Sequence, residues 1–207
     1  MVDIGRDESP LYTADEALAR LVAGNERFVR GAARFSAVRP ETLSALAKRQ
    51  RPYTTILGCS DSRVPPELVF DAGFGELFII RVAGNVISPE VAGSIQYASV
   101  HLRTPLIVVL GHQGCGAVEA ALAAKWQGRR ERSRIEALLQ NILPGLPDTG
   151  EELSPETRLD AAVEANVRWS MRQLLESPEG QARMAEGVMK LVGAVYEIAT
   201  GRVRFLP

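Results

Sequence analysis

The sequence feature that most constrains the fold is a set of short apolar runs in mid-chain that show no polar alternation. YTTILG (53–58) is a β-branched run closed by glycine, ELFIIRVAG (76–84) is a second, and PLIVVLG (105–111), the third, is apolar almost throughout. A strand with one face in water alternates apolar and polar residues, whereas a strand covered on both faces does not. The three runs therefore predict strands of a mostly parallel central sheet flanked by helices. Between the second and third, PEVAGSIQYASVHLR (89–103) has Pro89 at its first helical position and supplies the crossover, giving strand–helix–strand.

The flanking segments extend this α/β pattern. Thr13 with Glu16 three residues on forms a capping-box signal, and Ala17, Leu18, Leu21, Val22 and Phe28 fall near one face, predicting a helix over 14–30. A second helix should follow Pro40 and end before Pro52. CGAVEAALAAKWQ (115–127) is helical, and a longer helix should start at Ser154 with Pro155 just inside it. The ending GVMKLVGAVYEIATGRVRFLP reads as a strand, a Thr200–Gly201 turn and a last strand pairing antiparallel at the sheet edge. Stretches 128–134 and 144–153 are polar or rich in Pro and Gly and read as loops, and the basic cluster GRRERSR as a solvated face. No internal repeat is present. The expectation is one domain over 1–207, with an N-terminal helical arm (1–50) and an α/β core (51–207).

Composition excludes several functions. With 207 residues, 46% of them hydrophobic, the chain can bury one substantial core. Its 24 Lys and Arg against 25 Asp and Glu leave no electrostatic footprint for nucleic acid or an anionic membrane. No apolar run reaches the length of about 18 residues that a membrane span needs, and MVDIGRDESP has acids where a signal peptide has a basic region. A soluble, cytoplasmic protein is expected.

Cysteine and histidine are confined to Cys59, Cys115, His101 and His112, too few for a disulfide framework. Cys59 directly follows the first strand, and His112 and Cys115 follow the third. Ligands of such sheets bind outside the carboxyl ends of the strands, so if these strands are neighbours the three side chains converge there. Cys, His and Cys together suit zinc and leave a fourth tetrahedral position free, the mark of a catalytic site. The same cysteines also read as inert buried thiols or as a redox pair. Their setting favours metal, because CSDSR puts Asp61 and Arg63 two and four residues after Cys59, and HQGC has the spacing of a chelating pair beginning a helix. Gly116, next in the chain, could present its backbone N–H to an anion. His101, near the end of the crossover helix, reads as a structural residue that favours the helix dipole.

CSDSRVPPELVFDAGFGELFIIRVAGNV followed by GHQGCGAVEAAL resembles the β-class carbonic anhydrases, and VYEIATGRVRFL is similar to that family's usual close. The resemblance runs from residue 14 onward and is strongest over 50–122. It implies zinc bound by Cys59, His112 and Cys115, with Asp61 and Arg63 as the catalytic pair beside it and Asp61 as a fourth ligand in a closed state at lower pH. It implies that Gln50 hydrogen-bonds bicarbonate and that Phe78 and Tyr97 line a small apolar pocket, contributed from a partner subunit. The implied activity is reversible hydration of carbon dioxide to bicarbonate and a proton by a homodimer or dimer of dimers, with no nucleic-acid or membrane partner. Gln113 and Glu76 depart from the frequent threonine and aspartate. Ile56 stands where bicarbonate-regulated members carry tryptophan, so their inhibitory bicarbonate site is not expected here. A carbon disulfide or carbonyl sulfide hydrolase, a non-catalytic zinc or bicarbonate module, and a thiol redox protein would use overlapping residues; gas assays and metal analysis separate them.

Overall fold

A computed structural model describes residues 12–34, 40–148, 152–187 and 189–207. Five strands, β1 (Thr54–Gly58), β2 (Leu77–Arg81), β3 (Leu106–His112), β4 (Lys190–Glu197) and β5 (Arg202–Phe205), form one sheet in the order β2-β1-β3-β4-β5. The first four run parallel, and β5 returns antiparallel along β4, as the sequence predicts. β1 and β3 are direct neighbours, with Gly58 opposite Leu110.

The apolar runs behave as double-sided strands. All of β3 is buried, and its residues alternate between two cores. Ile107 and Val109 join Leu57, Val118, Leu139 and Val163 beneath α5 (Gly116–Gln127), α6 (Arg134–Ile142) and α7 (Pro155–Glu176). Leu106, Val108 and Leu110 join Leu21, Val64 and Phe70 beneath α1 (Ala14–Val29) and α3 (Pro66–Val69). Helix α7 lies directly on the sheet because Gly111 and Gly193 have no side chains. A Cβ at Gly111 would stand 2.6 Å from Val167 Cγ2, and one at Gly193 2.7 Å from Met171 Sδ.

Helix α1 begins with the expected reciprocal cap between Thr13 and Glu16. Its apolar face closes the second core of its own chain rather than standing free as a surplus surface. Buried Asn25 fixes it there: Nδ2 donates to Val69 O at 3.1 Å and to Gly201 O at 2.8 Å, and Oδ1 accepts from Val203 N at 2.9 Å. The Arg20 guanidinium lies over the edge-to-face pair of Tyr12 and Tyr53 and pairs with Glu76.

Helix α2 (Pro40–Leu46) stops well short of Pro52. Residues 40–44 are exposed, so little packing extends the helix beyond its intrinsic length. The crossover α4 (Pro89–His101) and the Ser154 cap of α7 stand where the sequence places them. Helices α3, α6 and α8 (Pro178–Ala185) have no counterpart in the sequence expectations. Residues 1–11 and 35–39 of the expected arm, 149–151 of the expected loop and Val188 in the expected strand segment lie outside the described residues. No described helix is long and apolar enough to cross a membrane.

Candidate metal centre

Because β1 and β3 are adjacent and parallel, the residues that leave their carboxyl ends emerge side by side. Cys59 follows β1, His112 closes β3, and Cys115 is the N-cap of α5, which turns back over the sheet. Their ligand atoms lie within 4.8 Å of one another, and all three residues are buried. The two sulfurs are 4.0 Å apart. Two sulfurs bound at about 2.3 Å to one tetrahedral zinc would stand about 3.8 Å apart, so the spacing fits. His112 Nδ1 is 3.0 Å from the Gln113 carbonyl, a bond that puts the ring proton on Nδ1 and leaves Nε2 as a bare acceptor. Nε2 is buried and has no hydrogen-bond partner among the described residues. A buried lone pair without a partner is costly, and directed at two thiols it suits a metal ligand whose other nitrogen is fixed by a carbonyl.

The cysteines share charge unequally. Cys115 hydrogen-bonds Cys59 and pulls its thiol down, helped by the backbone N–H of Gly84 and against the effect of burial. The same contact, with burial, pushes Cys115 up. One proton between two sulfurs is the arrangement that a divalent cation replaces, since bound thiols are deprotonated outright.

Beside this cluster, Arg63 clamps Asp61. Its backbone N–H donates to Oδ1 at 2.9 Å, Nε donates to Oδ1 at 2.9 Å, and Nη2 donates to Oδ2 at 2.7 Å. These bonds hold the Asp61 carboxyl well below the usual carboxylate range. Oδ2 lies 3.9 Å from His112 Nε2, so the anion faces the cluster while remaining tied to Arg63. Arg63 Nη2 also donates to Gly114 O at 3.2 Å and thereby joins CSDSR to HQGC. Arg81, which the sequence reading does not single out, closes β2 and donates to Cys59 O at 3.0 Å and Asp61 O at 2.6 Å. A charged residue ending an apolar strand was the available signal.

A single chain thus gathers Cys59, His112, Cys115, Asp61, Arg63 and the helix-starting Gly116 at one end of the sheet. Gln50, Phe78 and Tyr97 lie elsewhere. Gln50 is exposed in the segment entering the amino-terminal end of β1. Phe78 pairs with Thr55, three strand positions before Gly58, which is about 10 Å along the sheet from the end that carries Cys59. Its ring packs 6.2 Å from Tyr97, which is 44% exposed on α4. His101 ends α4 as expected and also stacks on Tyr97, at 5.0 Å.

Comparison with known proteins agrees with this geometry. The family model for carbonic anhydrase matches residues 54–203. Carbonic anhydrase 2 of Mycobacterium tuberculosis is 39% identical over 184 residues, covering 88% of this chain and 87% of that protein. The solved β-carbonic anhydrase CcaA matches with a TM-score of 0.74 at 27% identity over 91% of each chain. A tetrameric β-carbonic anhydrase of the fungus Sordaria macrospora gives the same TM-score, 0.74, at 25% identity over 91% of this chain and 96% of that one. With the cysteine–histidine–cysteine cluster at the strand ends and these likenesses over most of its length, the chain belongs to the β-class carbonic anhydrases, enzymes whose general reaction is the hydration of carbon dioxide.

Proposed function

We propose that this protein hydrates carbon dioxide reversibly to bicarbonate and a proton at a zinc ion held by Cys59, His112 and Cys115. The observation that carries this reading is the buried, unpartnered Nε2 of His112 beside two thiols whose sulfurs are 4.0 Å apart. Zinc in such a site supplies a nucleophile near neutral pH. The chain's own residues do the rest. Asp61, ionised and immobilised by Arg63, accepts a hydrogen bond from the attacking group and orients its lone pair toward carbon dioxide. Arg63 also keeps Asp61 from swinging onto the metal. The N–H of Gly116 at the start of α5, together with the amide of Gln50 from a second copy of the chain, stabilises the oxygen that gains charge as bicarbonate forms.

Gln50, Phe78 and Tyr97 are proposed to act from a second copy of the chain, so the smallest active unit is a homodimer. Support comes from β2, an edge strand whose apolar Leu77, Phe78, Ile79 and Ile80 are only half-buried, and from the exposed ring of Tyr97 beside it. Reduced, metal-binding cysteines suit the cytoplasm. The test is metal content and carbon dioxide hydration in Cys59→Ser, His112→Ala and Cys115→Ser. Each should lose zinc and activity together. Full hydration activity in a metal-free variant would overturn the proposal.

A further inference from the structure

The long helix α7 carries two polar residues on the face it presses against the sheet. Asn166 and Ser170 lie one turn apart and are 1% and 0% exposed, among Ala162, Val163 and Val167. Burying polar groups at such depth is costly, and although Asn166 Oδ1 has no partner among the described residues, the hydrogen bonds that the two side chains do make are informative. Both bind the same three-residue turn after β2. Asn166 Nδ2 donates to Gly84 O at 2.8 Å, and Ser170 Oγ donates to Asn85 O at 3.0 Å while accepting from Asn85 Nδ2 at 3.4 Å.

That turn has an unusual backbone. Gly84 (φ 66) and Asn85 (φ 44) are consecutive left-handed residues, and a Cβ at Gly84 would stand 2.7 Å from Ile142 Cδ1. The conformation aims the Gly84 N–H at Cys59 Sγ, 3.4 Å away. A helix distant in sequence therefore fixes the hydrogen bond received by one ligand of the candidate metal centre.

We propose that Asn166 and Ser170 are positioning residues of that centre, which act through Gly84 and Cys59 and touch neither metal nor substrate. An N–H donor withdraws electron density from a thiolate, so it leaves a metal held by that thiolate more electrophilic. The inference rests on the zinc reading above.

The test uses Asn166→Ala and Ser170→Ala in the full chain, with Val167→Ala as a control that perturbs the same helix face but removes no hydrogen bond to the turn. Three readouts are compared: the sulfur-to-metal charge-transfer band of the cobalt-loaded protein, the pH profile of hydration, and hydrogen exchange of the Gly84 amide. Both positioning variants should shift the band to lower energy, move the rise of activity to higher pH and speed Gly84 exchange. They should also release metal to a chelator about 10–100-fold more readily. Val167→Ala should lower the melting temperature and leave the band in place. If Asn166→Ala fails to fold, Ser170→Ala decides alone. Band, profile and Gly84 exchange like those of the parent in a folded variant would overturn the proposal. Failure of the parent to bind cobalt or zinc would instead sink the zinc reading, and Gly84 exchange, which needs no metal, would still test the tether.

Discussion

Asp61 has a role that can be separated from simple protonation. Arg63 lowers its pKa below the ordinary carboxylate value of about 3.9, so the stabilisation from this pair is present above that value and lost only as pH falls below it. Across pH 6.5–9 Asp61 therefore stays ionised, and it would stay ionised without Arg63 as well. Arg63→Ala should nevertheless abolish most of the turnover while metal is retained, because the freed carboxylate can swing onto the metal in competition with the nucleophile. In the parent, activity should rise through about pH 7–9, where a nucleophile on zinc becomes available. Rates and zinc content of Arg63→Ala measured from pH 6.5 to 9 check this, and near-parental rates would show that the pair does not gate the site. The clustering of Cys59, His112 and Cys115 beside the Asp61–Arg63 pair was legible in the sequence because each motif is local: CSDSR directly follows β1, and HQGC begins on the last residue of β3. Arg81, Asn166 and Ser170 were not, because their partners lie on other elements. On a helical pattern Asn166 and Ser170 look like ordinary polar positions until the buried neighbours at 162, 163 and 167 are placed around them.

Among the elements, the double-sided strands were legible because burial on both faces removes alternation, and α1, α4 and α7 were legible because their side-chain caps are local signals. Helix α6 gave no such signal. Its N-cap Ser133 has φ 56 and makes no side-chain cap, and its buried Leu139 and Ile142 follow a polar loop. The contact of α7 with the sheet was equally hidden, since it depends on what glycine lacks. Gly111→Ala should therefore destabilise the fold by about 1–3 kcal/mol through overpacking against Val167. Chemical denaturation checks it; an unchanged midpoint would show that α7 can shift outward at no cost.

The first helix spends its apolar face within its own chain, so it gives no argument for association. The half-buried β2 edge and the exposed Tyr97 do, and a homodimer is expected at assay concentration in sedimentation analysis. A fully active monomer would contradict the proposal that Gln50, Phe78 and Tyr97 serve a neighbouring subunit's pocket. The central claim, that Cys59, His112 and Cys115 hold a zinc ion at which carbon dioxide is hydrated, is tested most directly by stripping the protein of metal and following hydration by stopped flow as zinc is returned. Activity should be absent at the start, grow in proportion to added zinc and level off at one equivalent per chain. Full activity before any zinc is added, or stoichiometric zinc binding with no hydration, would contradict it.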